Sequence, residues 1–299
     1  MKIALVTAIA AFALDEDLAP LQEALHRAGI EAPIVAWDDP TVSWGRFDAA
    51  LLRSPWDYTE RLAEFLDWAA RVSTETRLLN PIEVIRRNTD KHYLADLAAK
   101  GIGVVPSEFA EPGDDAATAL AAFLEKFAAG EFVVKPAVGA GSRDAQRYAR
   151  AQSDAATTHV ARLLGENRSV LMQPYLASVD DAGETALMFF DGRFSHAIRK
   201  GPLLQLDTGP TRALFAPEAI TPRTPGADEI ALAQATLAAL PEGPLAYARV
   251  DLIRAADGSP RVLELELTEP SLFFAHGEGA ADRFAAALKA RLSPAVVGD

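Results

Sequence analysis

The ten residues Arg261-Val-Leu-Glu-Leu-Glu-Leu-Thr-Glu-Pro270 hold the densest chemistry of the chain. Read as a strand, they put Glu264, Glu266 and Thr268 on one face and Leu263, Leu265 and Leu267 on the other. Carboxylates one pleat apart stand about 6–7 Å apart at the backbone, from a rise of about 3.3 Å per residue. They can converge on one divalent ion or on two neighbouring ones, and such hard oxygen donors suit Mg²⁺. An amphipathic strand that merely wets its polar face carries the same pattern. The run Tyr247 to Ile253 shifts the balance, because Asp251 sits alone among apolar residues and a turn at Asp257-Gly258 would lay the two strands side by side. A lone Asp in a buried strand is costly unless paired or metal-bound. Asp251, Glu264 and Glu266 therefore read as a metal cluster.

Such a metal needs an anion to act on. Lys135 ends the apolar strand Phe132 to Val134, and Ala137-Val-Gly-Ala-Gly-Ser-Arg143 follows at once. Glycine lets backbone N–H groups approach a phosphate closely, so Gly139, Gly141 and Ser142 suit a phosphate-covering loop, although an ordinary hairpin turn has the same composition. No Gly-Lys-Ser/Thr follows, which excludes a P-loop. Lys91 opens an expected helix over Thr89 to Lys100; a cation there opposes the helix dipole unless an anion is near, the alternative being a solvated lysine. Gln173-Pro-Tyr175-Leu176 ends a strand in an apolar setting and resembles a hinge that holds a planar base; Glu184 follows it. Arg199, Lys200 and Arg249 are the cations available to neutralise charge developing on a transferred group, and Arg53, Asp57 and Arg143 are candidates for substrate contacts. Of the five histidines only His196 falls near this set.

These residues must be positioned by an alternating framework. Ile3 to Thr7, Glu31 to Trp37, Ala49 to Arg53 and Arg77 to Asn80 read as strands, separated by helical patterns at Asp17 to Ala28 and Thr59 to Val72, which predicts a parallel sheet. Met1 to Ala13 resembles a signal peptide, but a β-branched start with a single lysine suits a buried strand better. Helices at Asp114 to Ala129 and 154–165 and strands at Phe132 to Pro136 and Ser169 to Gln173 form a small central lobe. Thereafter strands dominate: Thr185 to Phe190 and Arg193 to Ile198 around Asp191-Gly192, then Ala246 to Ile253 and Arg261 to Leu267. Gly201 to Gly226 reads as irregular, and helices are expected near Ala227 to Leu240 and Ala280 to Leu292. The expected units are residues 1–88, 89–175 and 176–299.

The 299 residues are 49% hydrophobic and 24% charged, ordinary for a globular chain with a sizeable core. Forty-two acidic against 29 basic residues give a net charge of −13, which disfavours nucleic acid and anionic membrane as partners. No apolar run reaches the roughly 20 residues of a membrane span. The absence of cysteine excludes thiol nucleophiles and thiolate metal sites and accords with a cytoplasmic location.

The order Lys91, Lys135, Gly-rich loop, Gln173 to Leu176, Glu184, Asp251, Glu264-x-Glu266 resembles the ATP-grasp ligases, most closely the glutathione-synthetase and ribosomal-S6-modifying branch, over essentially the whole chain. The resemblance implies an α/β protein built of α+β lobes: an N-terminal parallel-sheet pre-ATP-grasp domain, a central lid and a C-terminal antiparallel-sheet lobe. It implies that Lys91 and Lys135 bind ATP phosphates, that the loop at Gly139, Gly141 and Ser142 closes over them, that Gln173, Tyr175 and Leu176 hold adenine, and that Glu184 meets the ribose. Asp251, Glu264 and Glu266 would ligate two Mg²⁺ ions, or Mn²⁺; the family often has Asn where Glu266 stands. Leu52-Arg-Ser-Pro-Trp-Asp-Tyr58, Gly139-Ala-Gly-Ser-Arg-Asp144 and Ser195-His-Ala-Ile-Arg-Lys-Gly201 are similar to the O-ureido-serine cyclo-ligases of cycloserine biosynthesis. That implies an amino-acid-like carboxylate activated as an acyl phosphate and attacked by an internal ureido nitrogen. An amide or peptide ligase, a small-molecule kinase and a nucleotide sensor without turnover are the alternatives, and a homo-oligomer stays open.

Overall fold

The first apolar run forms strand β1 (Ile3–Thr7), every residue of it buried, as the strand reading expects. A computed structural model describes residues 1–206, 209 and 219–293. Strands β2 (Ile34–Ala36), β3 (Ala49–Ser54) and β4 (Arg77–Leu79) join β1 in a parallel sheet of order β2-β1-β3-β4. Helix α1 (Leu18–Arg27) covers the face carrying Ile3 and Leu5, and helix α2 (Leu62–Glu75) covers the face carrying Ala4 and Val6. Both faces are thus buried, which is why these strands are apolar throughout instead of alternating.

Helices α3 (Ile82–Asn88) and α4 (Tyr93–Ala99) follow, so the single helix expected over Thr89 to Lys100 is two, with a turn between them. The turn is fixed by polar contacts: the Asp90 carboxylate accepts the His92 N–H at 3.0 Å, and the Lys91 N–H reaches the Ala137 carbonyl at 3.0 Å. Lys91 therefore stands in this turn and not in the first turn of a helix. Val84, Tyr93, Leu94 and Leu97 pack into the core of the last sheet, in a cluster that also takes in Leu171 and Phe109.

The central lobe is an antiparallel sheet of order β5-β8-β6-β7, made of β5 (Glu108–Ala110), β6 (Glu131–Pro136), β7 (Gln146–Ala149) and β8 (Val170–Pro174). Helices α5 (Ala116–Lys126) and α6 (Ser153–Gly165) pack on it through Phe123, Val160 and Leu163 against Phe132. After the short α7 (Ser178–Ala182) comes a second antiparallel sheet of order β11-β10-β9-β12-β13. Its strands are β9 (Glu184–Phe190), β10 (Arg193–Lys200), β11 (Ile220–Arg223), β12 (Tyr247–Arg254) and β13 (Pro260–Glu266). Helix α8 (Ala227–Ala238) precedes β12, and α9 (Ala280–Leu292) closes the described chain against α1. β11 lies inside the stretch expected to be irregular; residues 207–208 and 210–218 of that stretch lie outside the described residues.

Two features set the site. The β9–β10 turn has φ of 48° at Asp191 and 74° at Gly192, the left-handed pair that a two-residue hairpin needs. The β12–β13 register puts Asp251 opposite Glu264 and Arg249 opposite Glu266, so four charged side chains share one face. Asn80 fastens the first sheet to these strands: its amide donates to the Tyr247 and Leu267 carbonyls at 2.9 and 2.8 Å, and its oxygen accepts the Ala246 N–H at 2.8 Å.

Candidate active site

A cavity of about 490 Å³ opens between the two antiparallel sheets and the edge of the first sheet. Its charged floor comes from β10, β12 and β13. The Asp251 carboxylate is fully buried and takes the Arg249 Nε at 2.8 Å, the Arg249 Nη2 at 2.9 Å and the Lys200 Nζ at 2.9 Å. Arg249 also pairs with Glu266, and Lys200 with Glu184 at 3.1 Å. Glu264 takes the Lys91 Nζ at 2.9 Å. Burial disfavours ionisation of Asp251, yet Arg249 and Lys200 hold its carboxyl down at about 2. Burial likewise opposes ionisation of Glu264, and Lys91 and Lys135 hold it at about 2. Glu266 goes the other way: burial pushes it up to about 8, against the pull of Arg249 and with Asp251 and Glu264 adding like charge.

Among the described residues no three carboxylate or imidazole side chains stand grouped as a metal cage. Each carboxylate of the expected triad instead faces an internal cation, and Asp251 lies behind the cavity wall formed by Lys200 and Arg249. The donor set is nonetheless carboxylate oxygen throughout, and a Glu266 carboxyl driven up by burial is one a divalent charge would return to its ionised form. The residues fit Mg²⁺ on these grounds.

Lys135 stands apart. Among the described residues its ammonium makes no hydrogen bond and no ion pair, and it faces the cavity; burial lowers its pKa, only partly offset by Glu264. Lys91 is buried, contrary to a solvated lysine, and its Nζ also donates to the Gly139 carbonyl at 2.8 Å. That contact ties one end of the Gly-rich loop. The other end is tied by Asp144, whose carboxylate takes Arg162 and Arg168 at 2.7 Å each. Between them Gly141 and Ser142 have φ of 62° and 61°, and Arg143 faces the cavity while pairing with Glu60. Gln173, Tyr175, Leu176 and Glu184 also line the cavity. The Gln173 amide donates to the Ser107 hydroxyl at 2.9 Å, the Tyr175 hydroxyl donates to Asp180 at 2.6 Å, and the Arg147 guanidinium covers the Tyr175 ring at 3.5 Å. Val105, Val133, Ile253 and Leu263 make this end of the cavity apolar.

Besides Asp251, three expected residues do not reach the cavity. Arg199 donates to the Ala182 carbonyl at 2.9 Å and the Asp181 carbonyl at 3.0 Å, because strand alternation sends it away from the face that Lys200 occupies. Arg53 is wholly buried, donating to the Pro270 carbonyl at 3.1 Å with Asp15 and Asp17 carboxylates at 3.8 and 3.7 Å. Asp57 accepts the Trp37 indole N–H at 2.8 Å and pairs with Arg61 at 3.0 Å, so its loop position resolves to an ion pair. Its neighbours Trp56 and Tyr58 face the cavity instead. His196 also lies behind the wall, bonded to the Leu272 carbonyl at 2.8 Å, and His276 lines the cavity. Asp17 does not cap α1; its carboxylate accepts the N–H groups of Leu272, Phe273 and Phe274 at 2.6, 3.0 and 2.9 Å and so shapes the cavity's far wall.

Sequence reasoning missed Asn88 and Glu269. Asn88 accepts the Leu267 N–H and donates to the Leu265 carbonyl, both at 2.7 Å, which holds the end of β13 in register. Its signal was only its place beside Lys91. Glu269 lies past the strand phase that singled out Glu264 and Glu266.

Residues 3–80 match the family described as the N-terminal domain of the D-cycloserine synthetase DcsG. The cycloserine biosynthesis protein DcsG of Streptomyces lavendulae is 48% identical over 299 residues, 98% of this chain and 99% of that protein. The crystal structure of a D-cycloserine synthetase DcsG superposes with a TM-score of 0.92 at 47% identity, covering 98% of this chain and 100% of that one. The ATP-grasp ligase PsnB, in complex with a minimal precursor, is similar in fold at a TM-score of 0.66 and 19% identity, covering 97% and 99%. D-alanine–D-alanine ligase from Bacillus anthracis is similar in fold at 0.65 and 14%, covering 98% and 97%. With near-half identity along almost its full length and these three sheets in this order, the chain belongs to the DcsG family of ATP-grasp ligases.

Proposed function

We propose that the protein closes O-ureido-serine into cycloserine at the expense of ATP, in the cavity between the two antiparallel sheets. The observation that carries this reading is Lys135, an ammonium that faces the cavity without an anion of its own beside a floor of carboxylates. ATP takes the apolar slot at Val105, Val133, Leu176, Ile253 and Leu263, with its phosphates toward Lys135, Lys91 and the Gly139–Ser142 loop and its ribose toward Glu184. Mg²⁺ brought with the nucleotide, as two ions or with Mn²⁺ in its place, would be held by Glu264 and Glu266 with Asp251 behind them and would offset charge on the transferred phosphoryl oxygens.

A substrate carboxylate oxygen attacks the γ-phosphorus and ADP leaves. The ureido nitrogen bonded to oxygen then attacks the acyl carbon of that acyl phosphate. A C–N bond forms, the C–O bond to phosphate breaks, and the nitrogen proton passes to a base. Hydrolysis of the carbamoyl group releases CO₂ and ammonia. Arg143, Lys200 and Arg249 supply the positive field, Arg249 buried and Lys200 half-buried on the cavity floor. Residues 1–88, 89–175 and 176–299 serve as substrate lobe, lid unit and metal-bearing lobe of a cytoplasmic enzyme whose partner is a small molecule. Incubating the protein with O-ureido-serine, ATP and Mg²⁺ should give one ADP and one phosphate per ring by mass spectrometry and phosphate assay. ADP formed with a stable phosphorylated substrate and no ring would make it a kinase and refute the reading.

A further inference from the structure

The carboxylates of the cavity floor are each matched to a cation of the protein: Glu264 to Lys91, Glu266 to Arg249, Glu184 to Lys200. Glu269 is not. It lines the cavity, half-buried, and among the described residues no lysine or arginine nitrogen lies within 4.0 Å of its carboxylate. Lys91 and Arg249 act on it only from further away, and the Tyr58 hydroxyl is its near polar neighbour. Its own loop is immobilised, because the Trp56 indole donates to the Glu269 carbonyl at 3.2 Å and the Arg53 guanidinium donates to the next carbonyl, that of Pro270, at 3.1 Å. The carboxylate is thus presented from a backbone held by hydrogen bonds, on a cavity wall it shares with Trp56 and Tyr58. A carboxylate removed from water without a partner is unfavourable, and a ligand cation relieves it. Burial raises its pKa to about 7, against the pull of Tyr58, as expected of a group whose counter-charge arrives from outside.

We infer that Glu269, seated by Tyr58 and Trp56, binds the α-ammonium group of the amino-acid substrate and makes the site selective for amino acids over their des-amino counterparts. This rests on the proposed ligase reading and places the substrate at the end of the cavity opposite the apolar slot. Arg143 on the Gly-rich loop is then the cation available to the substrate carboxylate as it meets the nucleotide phosphates. An uncharged or hydroxylated analogue would leave the Glu269 carboxylate unmatched, which is the source of discrimination.

The test crosses the Glu269→Gln variant with two substrates, O-ureido-serine and the same molecule lacking its amino group. Wild type should favour the amino substrate in kcat/KM by at least 10-fold. Glu269→Gln should raise KM for the amino substrate by at least 10-fold, leave KM for ATP unchanged, and cut the preference between the two substrates to less than 3-fold. Tyr58→Phe, which retains the carboxylate, should keep most of the preference and confirm that the charge carries it. A Glu269→Gln enzyme that discriminates as wild type does overturns the inference, as does one whose kcat falls equally for both substrates. A Glu269→Gln enzyme that fails to fold is replaced by Glu269→Asp, which must keep the preference. Failure of wild type to form a ring from either substrate refutes the ligase reading instead, and leaves a different signature.

Discussion

Lys91 and Lys135 are both proposed to meet the phosphates of one nucleotide, but the protein treats them differently, and their alanine variants should part in sign. Lys91 is buried, holding Glu264 at 2.9 Å and the Gly139 carbonyl at 2.8 Å. Each is a charge-assisted hydrogen bond, in the range of about 1.5–3 kcal/mol. Glu264 keeps a quarter of its side chain exposed, so water recovers part of the loss once Lys91 is gone. The net expectation for Lys91→Ala is about 3 kcal/mol, a fall in Tm of about 6 °C at roughly 2 °C per kcal/mol for a chain of this size. Lys135 has no partner to lose and carries an ammonium that burial disfavours. Lys135→Ala should match or exceed wild-type Tm in the absence of nucleotide. ATP binding should reverse the order. Lys135→Ala should lose about 10- to 100-fold in affinity, whereas Lys91→Ala loses less, because Lys91 must leave Glu264 to reach a phosphate. Differential scanning fluorimetry and nucleotide titration read both quantities. A Lys135→Ala protein destabilised as far as Lys91→Ala would refute the assignment of an unmatched charge.

Asp251→Asn should abolish turnover and cost about 3 kcal/mol in urea melts, since two buried cations lose their shared counter-charge. Asp251 and Glu264 are both held at about 2, below their ordinary values, so their contribution to stability is complete above about pH 4.5 and lost as pH falls toward 2; acid melts of Asp251→Asn should show a shallower slope in that window than wild type. Amides of residues 137–147 should gain hydrogen-exchange protection on adding a non-hydrolysable ATP analogue with Mg²⁺, and unchanged exchange would remove the loop from the mechanism. Arg199→Ala should keep kcat within about 3-fold, because its guanidinium serves the end of α7 and not the cavity.

Much of this was readable in advance, for identifiable reasons. The β13 pattern holds for Glu264 and Glu266 against Leu265, because a strand with one apolar face has a single workable phase, but a register shift opposite Asp251 and Leu252 brings Leu263 to the cavity as well; the partner acid on β12 follows from the tight Asp257-Gly258 turn. The adjacent pair Arg199-Lys200 could not be divided that way: both faces of β10 mix polar and apolar residues, so only the fold decides that Lys200 faces the cavity. Asp57 failed for a similar reason, since a short 3₁₀ turn, and not a strand, sets which of Trp56, Asp57 and Tyr58 points inward. Helix α3 and strand β11 were missed where prolines interrupt the pattern, at Pro81 and Pro222. Arg53 and Glu269 depend on contacts between segments far apart in sequence, for which no local signal exists.

The pairing of the cavity floor has a further consequence. Three carboxylates that already hold Lys91, Lys200 and Arg249 behave as a loaded ion exchanger, which releases one cation only in trade for another. A bare divalent ion must evict a tethered ammonium that has nowhere else to go, so free metal gains little by entering. A nucleotide carrying its metal offers both halves of the trade at once: phosphate oxygens for the displaced ammonium groups, and a divalent ion for the carboxylates they leave. On the proposed reading this floor would favour the complex over either component and would discriminate against stray calcium or magnesium without any residue devoted to excluding them.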